Sequence, residues 1–241
     1  MTSSILTSCF IFTAIAQILI WPTLFGRQLR VRYLRGQWIN PGVELDIRGI
    51  VKKTRHKTNY LRLPDTVTIP EIGTIGLECS KRYMVFFIDL DAILRGTRIQ
   101  SVILHWYQSN LSMECTSPST PSFIVPREGH EDGSRAAASY IAPRAPPNTH
   151  HRYVFLLFAQ PSEYQFPECF AHVFPETVSA RSGFDIRKFI QVTGLDPPIA
   201  MNYFVGRHEP ADGESTTVPF TATTTSFRSV DCPTSAISLP P

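Results

Sequence analysis

Two aspartates one position apart, Asp89 and Asp91, close the apolar run VFFIDLDAIL (85–94), and histidines follow at His105, inside VILHWYQ, and at His150 and His151, just before Arg152. These are residue types that move protons near neutral pH, because imidazole titrates there and a neighbouring carboxylate can fix its tautomer. On an extended chain Asp89 and Asp91 point to the same side. The pattern therefore puts both acids where buried strand gives way to a polar pocket. Aspartates also cap turns and face water, and a histidine inside an apolar strand is commonly a hydrogen-bonded core residue. Metal binding is the weaker reading: the residue types suit a ligand set, but their spacing specifies none, and no metal is expected. GxGxxG and GxxxxGK[ST] are missing, so no cofactor is expected either. GxSxG is missing too, which argues against ordinary serine ester hydrolysis.

The elements that would position these groups are legible as short apolar runs. YMVFFIDLD (83–91), IQSVILHWYQSN (99–110) and RYVFLLFAQ (152–160) read as strands, and IAMNYFV (199–205) as a last one. FDIRKFIQVTG (184–194) carries apolar residues at helical spacing and ends in Gly194, so a short helix is predicted there. Residues 43–75, with Pro64, Pro70 and Gly73, read as short strands and turns. The insert 111–149 is rich in Ser, Pro, Gly and charge and reads as a surface loop. Strands that precede one late helix, without βαβ alternation, predict a mainly β fold: an antiparallel β-sandwich with short peripheral helices.

The 241 residues are enough for one substantial domain, and 43% hydrophobic against 18% charged residues predicts a folded chain. Residues 1–26 form a hydrophobic anchor or signal segment, with no charge between residues 3 and 25. Ala14-Ile15-Ala16 has the form of a cleavage site, but no Lys or Arg precedes the segment and apolarity continues through Trp21. The length suits a single membrane pass through residues 4–25. A membrane location in the endoplasmic reticulum or secretory pathway is expected. Residues 27–42 form a basic neck; the arginines there favour a cytosolic domain, whereas the sequon Asn110-Leu111-Ser112 is a glycosylation site only in the lumen. Orientation stays open. The same basicity is read as a membrane flank, and nucleic acid is not an expected partner. Cys79, Cys115, Cys169 and Cys232 are widely spaced, consistent with one or two disulfides or with reduced thiols. The folded domain is placed at 43–206, and the Ser/Thr/Pro-rich stretch 207–241 reads as a disordered tail.

Taken together, the segments resemble the phosphatidylethanolamine-binding protein family. The family's D-P-D-x-P stands here as Asp89-Leu90-Asp91-Ala92-Ile93, with both acids kept and both prolines replaced. Leu104-His105-Trp106 resembles the family strand that carries a pocket histidine. YIAPRAPPNTHHRYVFLLFAQP (140–161) is similar to the family's Tyr, Pro-Pro and G-x-H-R-Y-V-F stretch, with Thr149 in place of the glycine. FDIRKFIQVTGLDPPIAMNYFV (184–205) is similar to its closing helix, turn and last strand.

The resemblance implies an anion pocket made by Asp89, Asp91, His105, His151 and Tyr153, walled by Tyr140, Pro146 and Pro147. Two imidazoles and a phenol can donate to an anion, with the aspartates orienting the histidines and favouring their cationic form. Loss of the two prolines, with Leu90, Ile93 and Leu94 nearby, implies a reshaped mouth and a larger, more apolar ligand. Two functions follow as expectations. One is a membrane-tethered protein that binds a small anionic or amphipathic ligand or a protein partner, other membrane-bound proteins included. The other is an enzyme or accessory protein of fungal-type natural-product biosynthesis, assisting cyclisation of a polyketide-like intermediate. In that reading Asp89, Asp91, His105 and His151 are the candidate acid–base groups.

Overall fold

The computed structural model describes residues 27–34, 36–46, 66–93, 100–112, 122–124, 137–208 and 232. Three long strands form its centre: β5 (Arg82–Ile93), β6 (Gln100–Leu111) and β9 (Thr149–Gln160). With β1 (Arg27–Gln28), β3 (Val43–Asp46), β8 (Ala137–Ala138) and β10 (Ala200–His208) they make a seven-stranded sheet in the order β1-β10-β9-β5-β6-β8, with β3 also on β10. A second sheet of β2 (Arg30–Arg32), β4 (Glu71–Thr74) and β7 (Ser122–Ile124) lies in the order β2-β4-β7. Pairing is antiparallel except where β1 and β3 run parallel to β10.

Alternation along β5 explains the layers. Tyr83, Val85 and Phe87 pack with Phe155, Leu157 and Phe204 and with Val31 and Ile72 of the small sheet. Met84, Phe86 and Ile88 face the other way, against Phe170, Phe184 and Phe189 of the helical segments. Both faces of the central strand are therefore buried, which accounts for its unbroken apolar run. Burying each of these phenylalanines is worth about 1.5–3 kcal/mol.

The helical layer consists of a 3-10 helix, Glu168–Val173, and two α-helices, α1 (Val178–Arg181) and α2 (Ile186–Thr193). The helix predicted at 184–194 is α2: Asp185 caps it by accepting from the N–H groups of Arg187 and Lys188, and Gly194 ends it at φ 64°.

Three stretches depart from the sequence reading. The basic stretch 27–42 is built into the sandwich, with Leu29, Val31, Tyr33 and Ile39 buried while Arg30 is exposed. The insert 111–149, read as loop, contributes β7 to β4 and β8 to β6; strands of two or three residues are too short to show a period. Cys232, within the stretch read as tail, forms a disulfide with Cys169 of the 3-10 helix. Among the described residues no helix is long and apolar enough to cross a membrane, and the apolar segment 4–25 lies outside them.

Candidate functional site

Two β-bulges place the chemistry. Phe87 pairs with Trp106 but Ile88 pairs with Leu104, so His105 is an extra residue in β6. A bulge re-aims a side chain. Here His105 joins Trp106 on the inner face, its ring 5.4 Å from those of both Phe87 and Tyr153. The second shift lies between Asp89 and Ala92 of β5, opposite Ile103 and Ser101 of β6. It breaks the alternation expected of Asp89 and Asp91 and gives the two acids different partners.

Asp89 stays inside. Its Oδ2 accepts from Nδ1 of His151 at 2.7 Å, with both side chains buried, and its Oδ1 accepts from the Asp91 N–H. Because the carboxylate must be given the proton on Nδ1, the neutral His151 ring carries its lone pair on Nε2. Tyr153 pairs with Asp89 across the β5–β9 ladder, and its ring stands 6.2 Å from that of His151. The Tyr153 hydroxyl is buried without a hydrogen bond of good geometry. Burial, with the Asp89 charge adding to it, raises this phenol well above its ordinary 10, so it stays protonated.

His105 is locked from its other side. Its Nδ1 donates to the Ile141 carbonyl at 2.9 Å, while its own carbonyl accepts from the Ile141 N–H at 2.8 Å. Its Nε2 is buried and has no partner. Burial pushes the ring below the usual histidine value, and the Arg181 and His151 charges push the same way; the Ile141 carbonyl and Asp89 oppose them without prevailing. The cationic donor expected at this position is instead a neutral ring that presents Nε2 as an acceptor.

Asp91 turns to Arg152. Its Oδ1 accepts from Nη2 at 2.6 Å and its Oδ2 from Nε at 2.7 Å and from the Arg152 main-chain N–H at 2.8 Å. Gln100 Nε2 adds a fourth bond at 2.8 Å. Burial alone would raise this carboxyl, but the Arg152 bonds and charge hold it below its ordinary value. The pair lines a groove of about 570 Å³ with Ile93, Gln100, His150 and Val205. Even-numbered β9 residues make this groove, whereas the odd-numbered His151 and Tyr153 belong to the buried inner cluster.

Tyr140, expected as a pocket wall, packs beside this cluster. Its ring stacks on Phe87 at 5.8 Å, and its hydroxyl donates to the Thr66 carbonyl and accepts from Tyr33. Pro146 is exposed and Pro147 half-buried, both at the turn that leads into β9. Asn110 is exposed at the far end of β6, with its Oδ1 accepting from Gln160. Sequence reasoning missed Ile141 and Arg181. Ile141 acts through its main chain, which carries no sequence signal, and Arg181 through a buried guanidinium that bonds main-chain carbonyls. Among the described residues no three His, Cys, Asp or Glu side chains converge as a metal site.

The structure is thus a sandwich with an Asp–His pair near the strand ends and a histidine on a neighbouring bulge. The chain belongs to the phosphatidylethanolamine-binding protein family, whose model matches residues 41–204. It is similar to phomoidride biosynthesis cluster protein N of Talaromyces stipitatus, with 37% identity over 124 residues, 52% of this chain and 58% of that one. A second protein of that name, from a fungal species, is 36% identical over 126 residues, 51% of each chain. The chain thus spans about half the length of the curated relatives it matches. Among solved structures it is similar to a carboxypeptidase Y inhibitor complexed with its cognate proteinase (TM-score 0.53, 15% identity, 87% of this chain and 100% of that one). It is also similar to a phosphatidylethanolamine-binding protein from Plasmodium vivax (TM-score 0.51, 17% identity, 82% and 97%). At such identities these structures show the fold alone.

Proposed function

We propose that this protein serves in fungal-type natural-product biosynthesis, where its inner pocket binds an apolar, enolisable intermediate and assists its isomerisation or cyclisation by proton transfer. The observation that carries this reading is the buried Asp89–His151 pair, 2.7 Å apart, beside two buried polar atoms without partners, His105 Nε2 and the Tyr153 hydroxyl. The names of the two fungal relatives support the setting.

The roles follow from protonation. His151 Nε2 takes a proton from carbon or oxygen of the ligand, and Asp89 stabilises the imidazolium that forms. The Tyr153 O–H hydrogen-bonds the ligand oxygen on which negative charge develops. His105 Nε2 accepts from a ligand O–H, so an enol or a protonated acid suits it better than a fully ionised phosphate. Asp91 holds the strand end through Arg152. An N-terminal apolar segment would bring the pocket to a membrane surface, where apolar intermediates partition.

Binding without chemistry is the second reading, favoured by the same two unpartnered atoms, which a ligand would satisfy whether or not its bonds change. Reconstitution separates the two. Product formation by the other enzymes of a pathway is measured with wild-type protein, with Asp89→Asn and with His105→Ala. Loss of product with either folded variant supports proton transfer. Unchanged product with both variants refutes it, and ligand retention without turnover leaves a binding protein.

A further inference from the structure

Arg181 has zero exposure, yet among the described residues no carboxylate forms an ion pair with it. Its acceptors are main-chain carbonyls and one hydroxyl. Nε donates to the carbonyls of Val173 at 2.9 Å and Pro175 at 3.2 Å. Nη1 donates to the His105 carbonyl at 3.3 Å and to the Ser139 carbonyl, and Nη2 to the Ser139 hydroxyl at 3.1 Å. Ser139 in turn donates to Glu176. Burying a cation costs several kcal/mol unless its bonds are good, and a planar fork with five N–H donors satisfies such a set where an ammonium would not.

The acceptors are not scattered. His105 carries the bulge, and Ser139 immediately precedes Tyr140 and Ile141, which supply the pocket wall and the carbonyl that fixes the His105 tautomer. Val173 ends the 3-10 helix and Pro175 lies two residues beyond it. One side chain therefore joins the helical layer to both segments that hold His105.

We propose that Arg181 is the positioning residue of the inner pocket: its guanidinium clamps the His105 bulge to the 139–141 segment, keeping Nδ1 on the Ile141 carbonyl and Nε2 aimed inward as an acceptor. The proposal builds on the site described above, but its readout is His105 itself, so it stands or falls apart from the question of catalysis. The charged and titratable groups that act on the ring are Asp89 from β5, His151 and Tyr153 from β9, and Arg181 from α1. Arg181 disfavours its cation, which reinforces the neutral state the clamp requires.

The test is a pH titration of the His105 ring nitrogens by ¹⁵N NMR in the full chain, comparing wild type, Arg181→Lys, Arg181→Gln and Ser139→Ala. In wild type at neutral pH, Nδ1 is protonated and Nε2 is not. Arg181→Gln should move the His105 midpoint upward and mix the two tautomers, and Arg181→Lys, which keeps the charge without the fork, should mix the tautomers with a smaller change of midpoint. Ser139 is exposed, so Ser139→Ala folds even if the arginine variants do not, and it should show partial tautomer mixing. A single His105 tautomer and an unchanged midpoint in every variant that folds would overturn the proposal and leave Arg181 a residue of stability alone.

Discussion

Asp89 and Asp91 stand two residues apart on one strand, and the sheet between them separates two sites. On the inner side Asp89 is buried, holds a histidine, and borders two polar atoms without partners. On the outer side Asp91 keeps 17% of its side-chain exposure and is matched bond for bond by Arg152 and Gln100. The outer carboxylate is satisfied; the inner cluster is left short of partners. Native folds rarely bury unsatisfied polar atoms, so each such atom calls for a specific explanation. The proposed chemistry rests on the inner side, while the outer pair ties the strand ends together.

The strongest way to break the comparison is Asp89→Asn. It removes the charge that holds His151 and should lower proton-transfer activity at least about 10²-fold, measured as turnover at neutral pH. Tyr153→Phe sharpens the contrast from another direction. An unpartnered buried hydroxyl costs about 1–3 kcal/mol, so this variant should be as stable as wild type or more so in urea unfolding, while activity falls about tenfold or more.

The pH dependence of stability comes next. His105 is held below its ordinary value by burial, so beneath about pH 6.5 the unfolded chain binds a proton that the folded chain resists. Stability from this group is present above that pH and falls on acidification, and His105→Gln should flatten the slope in urea titrations between about pH 6.5 and 5.

Asp91→Asn should have the smallest effect on activity, less than about threefold, since its partners lie outside the inner pocket. It should still cost about 1–2 kcal/mol at pH 7 as a partly exposed pair. Its carboxyl is depressed when folded, so that cost should disappear as pH falls through and below about 4, as followed by thermal unfolding.

The long elements were legible because burial on both faces writes itself into residue type: VFFI, VILHW and RYVFLLF could hardly be anything but central strands. Helix α2 announced itself through Gly194 and its apolar spacing, with Asp185 as its cap. The stretch through β1 and β2 was harder, because Arg27, Arg30 and Arg32 read as a charge run, while Leu29 and Val31 carry the buried face between them. Asp89, His105, His151 and Tyr153 come together as the motifs implied; Asp91 does not join them, because a bulge, which depends on the partner strand's register, cannot be seen in one strand's sequence. For the same reason the protonation expected of His105 was inverted. An imidazole beside aspartates suggests a cation, but burial under the packed layers, with the Arg181 charge from a segment 76 residues away, outweighs them.

The most direct measurement of the central claim is hydrogen–deuterium exchange at the central carbon of an alkyl-substituted 1,3-diketone in D₂O, followed by ¹H NMR with the full chain at neutral pH. Wild-type protein should accelerate exchange above the buffer rate and Asp89→Asn should return it close to that rate, with Asp91→Asn near wild type. A diketone that occupies the pocket, shown by chemical-shift changes at His105 and Tyr153, yet exchanges no faster than in buffer would contradict the account.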